Sequence, residues 1–338
     1  MAEPAVSVVI PNLNRADLLL ECLESLERQR FRDFEVIVVD QASSDDSAAR
    51  VQERFGEAVK VIVNSANLGF AEGCNVGIRA SRGRWIALLN NDALADPRWL
   101  EEAVKAGRAR PRVGLVACLI LDRVERDRID NVGVGLYPDG MNRGRARGER
   151  AGGLYGSGYD AFLPSGCACL LRREMLDEIG LFDPSFFAYS EDTDLGLRAR
   201  LSGWRCAFAP RAAVYHHYSS TAGKVSGFKV FHAERNRLWL LFRYYPALYL
   251  ALSPAWTLLR YLALVPAWWK MKAQAGASPS PVMVVMSILK AHGSALARLG
   301  EQWAWRKAWL KRRRVSAETW AQWLKQYRIS LAELSAWD

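Results

Sequence analysis

The first 120 residues alternate short β-branched runs with stretches of helical periodicity, which restricts this part of the chain to a parallel sheet with crossover helices. The expected strands are VSVVI at 6–10, FEVIVVD at 34–40, VKVIVN at 59–64, RWIALLNND at 84–92 and VGLVACLIL at 113–121. Between the first two, ADLLLECLESLERQR puts Leu19, Cys22, Leu23 and Leu26 on one helical face, and further helices are expected from near Ser44 and Ala71. The fold class is therefore α/β, a doubly wound, mostly parallel sheet whose ligands lie beyond the carboxyl ends of its strands.

With 338 residues, 50% hydrophobic and 24% charged, the chain can bury a full core. Residues 122–160 are rich in Gly, Arg and Asp without periodicity and read as a long excursion or flexible loop over the site. Order returns at CACLLRREMLDEIG, a strand entering a helix. A helix from near Ser190, a strand around CAFAP and the turn into VYHHYSS follow. After about residue 228 the pattern is helical and apolar, with breaks expected at Pro246, Pro254 and Pro266. Two domains result: 1–228, in halves 1–121 and 122–228, and a helical, basic, Trp-rich region at 229–338. The six cysteines lack CxxC spacing and mostly sit in apolar runs, so they read as reduced and structural. The start, MAEPAVSVVIPNLNR, lacks a basic n-region and reads as a first strand, so a cytosolic protein is expected.

Polar residues collect where each strand ends: Asn12 and Asn14, then Asp40, then Asn67, then Asn90, Asn91 and Asp92. That edge of the sheet can bind a nucleotide. No GxGxxG follows the first strand, so the cradle of a dinucleotide pyrophosphate is missing and a dehydrogenase is disfavoured. Asp40 can accept hydrogen bonds from a base or ribose, or simply cap a turn. In NLGFAEGCNVG, Gly69, Gly73 and Gly77 recur every four residues; they suit close approach of a helix N-terminus to a ligand or tight packing of helix on sheet. Asp92 can hold a hard divalent cation, Mg²⁺ or Mn²⁺, against a diphosphate, with His216 or His217 from VYHHY completing the site; a plain histidine pair is the alternative. In SEDTDLGLR, Glu191 and Asp192 suit the positive end of a helix, and either suits a general base for a hydroxyl.

Taken in order, VSVVIPNLNR, VIVVDQASSDDS, NLGFAEGCNVG, LLNNDA, FFAYSEDTDLGLR and VYHHYSSTAG resemble the family 2 glycosyltransferases of GT-A fold, in particular the bacterial rhamnosyltransferase and galactofuranosyltransferase branch. The resemblance covers roughly 5–245 and implies that the half at 1–121 binds the nucleotide and the half at 122–228 the acceptor. It implies that Pro11 and Asp40 contact the base or ribose, with Asn12, Asn14, Asn67, Gly69, Asn91 and Asp92 around the nucleotide-sugar. Asp92 matches the last residue of the family's DxD metal motif, which here reads NND and lacks its first carboxylate. Asp192 matches the catalytic base, with Glu191 contacting the acceptor or fixing its geometry. His216 matches a later metal ligand, His217 being the alternative if the register slips by one. The implied reaction is inverting transfer from a dTDP- or UDP-sugar, with dTDP-L-rhamnose first, then UDP-galactofuranose and UDP-N-acetylglucosamine. A member of the family that has lost activity and serves as a scaffold is the rival reading. Trp204, at a helix end, is assigned to the acceptor.

The +10 net charge is uneven: from residue 221 onward there are 18 Lys and Arg against 5 Asp and Glu, and ten of the 13 tryptophans lie at or beyond Trp239. PALYLALSPAWTLLRYLALVPAWW at 246–269 is long enough to span a bilayer but is interrupted by prolines and Arg260. Followed by WWKMK and WAWRKAWLKRRR, with Trp305 and Trp309 one turn apart, it reads as helices lying in the headgroup region; a spanning or re-entrant segment and a homodimer interface are the alternatives. No motif that reads RNA or DNA accompanies the basic tail, so no nucleic-acid partner is expected. A mount on the cytoplasmic face of the bacterial inner membrane suits an acceptor carried on a polyprenyl diphosphate.

Overall fold

The computed structural model describes residues 3–152, 160–217, 226–275 and 280–335, with the backbone alone at 267–275. The expected segments WWKMK and AGASPSP and the end of VYHHYSSTAG therefore lie partly or wholly outside the described residues. The chain divides into two compact units, Met1–Val134 with Ala146–Tyr218, and Gly135–Arg145 with Ser219–Asp338.

In the first unit, β1 (Val6–Asn12), β2 (Phe34–Asp40), β3 (Val59–Val63) and β4 (Trp85–Leu89) are the expected parallel strands. Every residue of β1 is buried, as a strand covered by helices on both faces requires. α1 (Ala16–Glu27) buries Leu19, Cys22, Leu23 and Leu26, the face its periodicity marks. α2 (Ser47–Phe55) starts three residues after Ser44, because Asp45 accepts from the Ser47 and Ala16 amides and holds a turn ahead of it. α3 (Gly69–Ala80) returns to the sheet through Gly77, where an added Cβ would lie 2.3 Å from Val9.

Beyond β4 the sheet departs from simple winding. Its order is β3-β2-β1-β4-β10-β6-β11-β5, with β5 (Ala93–Ala95), β6 (Val113–Asp122), β10 (Ala168–Arg172) and β11 (Arg205–His216); α4 (Trp99–Arg108) connects β5 to β6. β10 runs antiparallel between β4 and β6, and β5, only a turn after β4, crosses to pair antiparallel with β11. That crossing carries Asn90, Asn91 and Asp92 over the edge where β11 ends. α5 (Arg173–Ile179) and α6 (Glu191–Leu201) follow β10.

The excursion is more ordered than its composition suggests. β7 (Ile129–Asn131) pairs with β6, while β8 (Val134–Leu136) and β9 (Asn142–Gly144) form a hairpin whose turn is closed by Tyr137 N–H on the Met141 carbonyl at 2.7 Å. Pro138, Asp139 and Gly140 supply the turn chemistry.

The second unit is helical: α7 (Gly227–Tyr244), α8 (Ala247–Ala275), α9 (Pro281–Ala297), α10 (Leu299–Leu310), α11 (Ala317–Gln326) and α12 (Leu331–Ser335). Pro246 breaks the chain as expected, but Pro254 and Pro266 lie inside an unbroken α8. Both are exposed on the helix surface, and the carbonyl that Pro254 frees, that of Leu250, accepts from the Ser253 hydroxyl at 2.8 Å. Much of the tail's tryptophan is core. Trp239, Trp309 and Trp320 are buried, and Trp305 stacks on Trp309 at 5.3 Å. The expected exposed pair Trp305 and Trp309 thus turns inward, because Arg243 and Tyr244 of α7 offer it cation–π and edge contacts. At the centre, Asp139 and Glu234 meet Arg237 and Arg260: Arg260 Nε lies 2.7 Å from Asp139 Oδ2 and its Nη1 2.8 Å from Glu234 Oε1.

Candidate functional site

Four predicted residues join into one ladder at the strand ends. The register sets Asn12 beside Asp40. Asn12 Nδ2 donates to Asp40 Oδ2 at 3.0 Å, and Asn12 Oδ1 accepts from Asn91 Nδ2 at 2.7 Å. Asn14, in the left-handed region at φ 58°, accepts from the Ser44 amide at 2.8 Å. Asp40 also accepts from the Ser43 amide and hydroxyl, so it caps the turn beneath the site as well as bordering it. Pro11 is buried under α3.

Asn67 is exposed on the rim, and its side-chain oxygen accepts from the Gly69 amide at 2.9 Å. Gly69 has φ +83°, and a Cβ there would lie 2.6 Å from Phe187, so only glycine fits. Gly73 faces Gln41 and Gly77 faces Val9, which makes these two packing glycines. Gln41, absent from the sequence reading, ties the rim down by donating to the Gly69 carbonyl and accepting from Asn64 and the Leu68 amide.

On the other side of the β4–β5 crossing, His216 Nε2 lies 3.4 Å from Asp92 Oδ1, and both side chains are buried. The β11 register turns the two histidines to different sides. His216 pairs with Ala93 and turns inward, whereas His217 is exposed and gives only its backbone N–H to the Asp92 carbonyl at 3.0 Å. Burial opposes protonation of His216, but the neighbouring Cys167 and hydrogen bonds to Asp130 and Asp92 raise its pKa well above the ordinary imidazole range. Burial pushes every thiol up, Cys118 and Cys206 to about 12, which leaves no thiolate nucleophile at neutral pH.

Asp92 and His216 form an oxygen and nitrogen pair whose spacing is near the about 3 Å edge of an octahedron with bonds of about 2.1 Å. The pair therefore fits a hard divalent cation that takes its remaining ligands from a diphosphate and water. No cluster of three or more His, Cys, Asp or Glu among the described residues makes a self-sufficient metal site.

Asp192, at the N-terminal turn of α6, accepts from the Gly166 amide at 2.8 Å and the Thr193 amide at 2.6 Å. Burial raises its pKa despite these bonds. Burial also lifts Glu191 well above the ordinary carboxylate range, with the Asp192 and Asp194 charges adding to the effect. Glu191 Oε2 is buried and has no hydrogen-bond partner among the described residues. Phe187, Tyr189 and Ser190, just before α6, all have positive φ (64°, 67° and 67°), the kind of backbone strain that accumulates at functional sites.

The two halves are joined by residues that the sequence reading passed over. Ser165, Gly166 and Cys167 run between them: Gly166 N–H serves Asp192, while the Cys167 carbonyl accepts from Asn90 N–H at 2.9 Å. Asp130, on β7, bonds His216 Nδ1 at 2.7 Å, so the excursion meets the His216 side. Trp204 is the predicted residue that the structure places elsewhere. It precedes β11 at the end where Arg205 pairs with Val113, roughly 30 Å along the strand from His216. There it is buried, donates Nε1 to Glu178 at 3.1 Å and lies under Arg112, all of which are packing contacts.

The model for glycosyl transferase family 2 matches residues 7–180. An uncharacterized protein, y4gI, of Sinorhizobium fredii is 31% identical over 237 residues, which are 65% of this chain and 25% of that protein. The O-antigen biosynthesis protein RfbC of Myxococcus xanthus is 28% identical over 228 residues, 64% of this chain and 18% of that protein. The chain thus spans a quarter or less of these two relatives. An N-acetylglucosaminyl-diphospho-decaprenol L-rhamnosyltransferase of Mycobacterium tuberculosis is 27% identical over 227 residues, 60% of this chain and 72% of that protein. Among solved structures, the mannosyltransferase PcManGT of Pyrobaculum calidifontis, in complex with GDP-Man and Mn²⁺, aligns with a TM-score of 0.53 at 21% identity over 92% of this chain and 86% of that one. GalNAc-T7 with UDP, GalNAc and Mn²⁺ aligns with a TM-score of 0.59 at 15% identity over 90% and 57%. These structures establish the fold, GT-A. With the family model covering more than half of the residues, including the strand-end ladder and Asp92, the chain belongs to glycosyl transferase family 2.

Proposed function

We propose that this protein is an inverting, divalent-cation-dependent glycosyltransferase that builds cell-surface polysaccharide, moving a sugar from a nucleotide donor to a lipid-linked or glycan acceptor. L-Rhamnose from dTDP-L-rhamnose is the first choice of donor, supported by the printed activity of the mycobacterial relative; UDP-galactofuranose and UDP-N-acetylglucosamine follow. One observation carries the reading: a buried Asp92–His216 pair and Asp192, in the first turn of α6 with a raised pKa, are tied to one short segment, Ser165 to Cys167.

The nucleotide would lie along the edge formed by Pro11, Asn12, Asn14 and Asp40, with Asn67 and Gly69 at its rim and Asn91 and Asp92 toward the diphosphate. Asp92 and His216 would hold the cation, which when bound neutralises charge developing on the departing diphosphate. Asp192 takes the proton of an acceptor hydroxyl as that oxygen bonds to the anomeric carbon from the face opposite the diphosphate. The bond from the anomeric carbon to the diphosphate breaks in the same displacement, so the configuration inverts. Glu191, buried beside Asp192 with an oxygen unused, would contact the acceptor.

The second unit supplies the proposed mount on the cytoplasmic face of a bacterial inner membrane. Residues Ala247–Pro266 of α8 are long and apolar enough to cross a bilayer by length and composition. Their exposed side chains include Leu248, Leu252, Leu258, Leu259, Leu262 and Val265, while Arg260 on the other face is buried against Asp139 and Glu234. An apolar face opposite a buried ionic face suits a helix lying in the membrane plane.

Asn90, standing where the family motif has its first carboxylate, favours one rival: an inactive scaffold. A thermal-shift screen of the full chain against dTDP- and UDP-sugars, with Mn²⁺ or Mg²⁺ and with EDTA, separates the two. A cation-dependent rise in melting temperature with one donor, followed by turnover of that donor, supports the enzyme. Absence of both with every donor favours the scaffold.

A further inference from the structure

His216 carries a carboxylate at each ring nitrogen. Nδ1 lies 2.7 Å from Asp130 Oδ2 and Nε2 lies 3.4 Å from Asp92 Oδ1. The first distance is that of a charge-assisted hydrogen bond, the second is longer than one. A ring held this way keeps its Nδ1 proton on Asp130 and turns the other nitrogen toward Asp92.

Asp130 is itself held. β7 pairs with β6 through Ile120 with Asn131 and Leu121 with Ile129. On its other side, Ile129 N–H donates to the Glu149 carbonyl at 2.7 Å and the Ile129 carbonyl accepts from Gly148 N–H at 2.8 Å. Arg147 Nη1 stands 3.4 Å from Asp130 Oδ1, so the carboxylate has a cation on one oxygen and the imidazole on the other. The side chains of both Asp130 and Arg147 are largely buried. Such a carboxylate holds its direction.

We propose that Asp130 is a positioning residue for the cation site: through Nδ1 it fixes the tautomer and direction of the His216 ring, so that the Nε2 lone pair is presented beside Asp92. The inference rests on the reading of Asp92 and His216 as the cation pair, and adds a residue outside every motif of the family resemblance. It also assigns β7 to the donor side of the reaction. A carboxylate behind a ligating imidazole fixes the ring and raises its basicity, and its loss typically weakens metal binding about 10–100-fold.

The test is Mn²⁺ titration of the full-length, metal-free protein, followed by water-proton relaxation with and without UDP, for wild type and the variants Asp130→Ala, Asp130→Asn and His216→Ala. Asp130→Ala should bind Mn²⁺ about 10–100-fold more weakly. Asp130→Asn, whose amide oxygen can still accept from Nδ1, should recover part of the loss, and His216→Ala should lose most of the binding. Affinity of Asp130→Ala within about threefold of wild type, with binding lost in His216→Ala, would overturn the proposal while leaving the cation pair standing. Wild-type affinity in His216→Ala overturns the cation pair itself and this inference with it. Should Asp130→Ala fail to fold, the wild-type protein loaded with Mg²⁺ and UDP decides through the ¹⁵N shifts of its His216 ring: a protonated Nδ1 beside an unprotonated Nε2 supports the proposal, and a pyridine-like Nδ1 overturns it.

Discussion

The backbone N–H of Gly166 donates to Asp192 Oδ2 at 2.8 Å, and an added Cβ on Gly166 would sit 3.4 Å from the Asp192 Cβ. The proposed base is thus aimed by backbone; an asparagine there has one acceptor oxygen for the Gly166 and Thr193 amides and keeps one of the two bonds. Asp192→Asn should fold normally and bind donor with unchanged affinity, while transfer to acceptor falls about 10²–10⁴-fold, the usual contribution of a general base. Donor binding by calorimetry beside turnover checks it; transfer within tenfold of wild type would remove Asp192 from the chemistry.

The pH profile follows from the same residue. Burial raises the Asp192 pKa, so the ionised, proton-accepting form is lost at a higher pH than for a free carboxylate. Transfer should fall as pH drops through that raised value, with an acid limb in kcat/KM clearly above about pH 4. A rate flat down to pH 4, measured where the protein remains folded, would argue against it.

Glu191 is harder to ionise in the fold than in the unfolded chain, because of burial and then the charges of Asp192 and Asp194. Its folded pKa is raised, so the wild type loses stability as pH rises from about 4.3 toward that raised value. Glu191→Gln, which has no charge to bury, should therefore be more stable by about 0.5–2 kcal/mol at neutral pH and no more stable at pH 4. Melting curves at the two pH values test the sign, and transfer activity should drop in the same variant.

Glu234 behaves in the opposite sense. Burial pushes it up, but Arg237 and Arg260 hold its pKa down to about 2. The stability it contributes is complete above the unfolded value of about 4.3 and is lost as pH falls toward 2. Glu234→Gln leaves two buried guanidiniums with less charge to face and should cost about 3–5 kcal/mol at neutral pH, read by calorimetry.

For the membrane, Leu252→Asp together with Leu259→Asp changes only exposed side chains of α8. The double variant should keep its melting temperature and lose co-sedimentation with vesicles containing anionic lipid. Undiminished binding would remove α8 from the mount.

Much of the nucleotide side was legible because strand ends fall where apolar runs stop: Asn12, Asp40 and Asn91 are neighbours once the strands are in register. Which of His216 and His217 turns inward was not legible, since it depends on β5 crossing the sheet to pair with β11. Asp130 lies in an aperiodic stretch, and only the pairing of β7 with β6 brings it to His216. The turn residues of YPDGM did mark a hairpin, which the Gly and Arg around them obscured. Trp204 misled because a tryptophan at a helix end looks available, whereas Glu178 and Arg112 occupy both its polar edge and one face. Tryptophan count in the tail likewise says nothing about direction: Trp303 is exposed, while Trp309 and Trp320 fill the interior.

The ionic centre of the second unit also bears on how the chain is made. Asp139 and Glu234 lie 121 and 26 residues ahead of Arg260, so both counter-charges leave the ribosome first. A newborn α8 that enters lipid must carry Arg260 into hydrocarbon, at a cost of about 2.5–3.5 kcal/mol on insertion scales. Docking against waiting carboxylates carries no such cost. The order of synthesis therefore favours completion of the helical unit over threading of α8 through the bilayer.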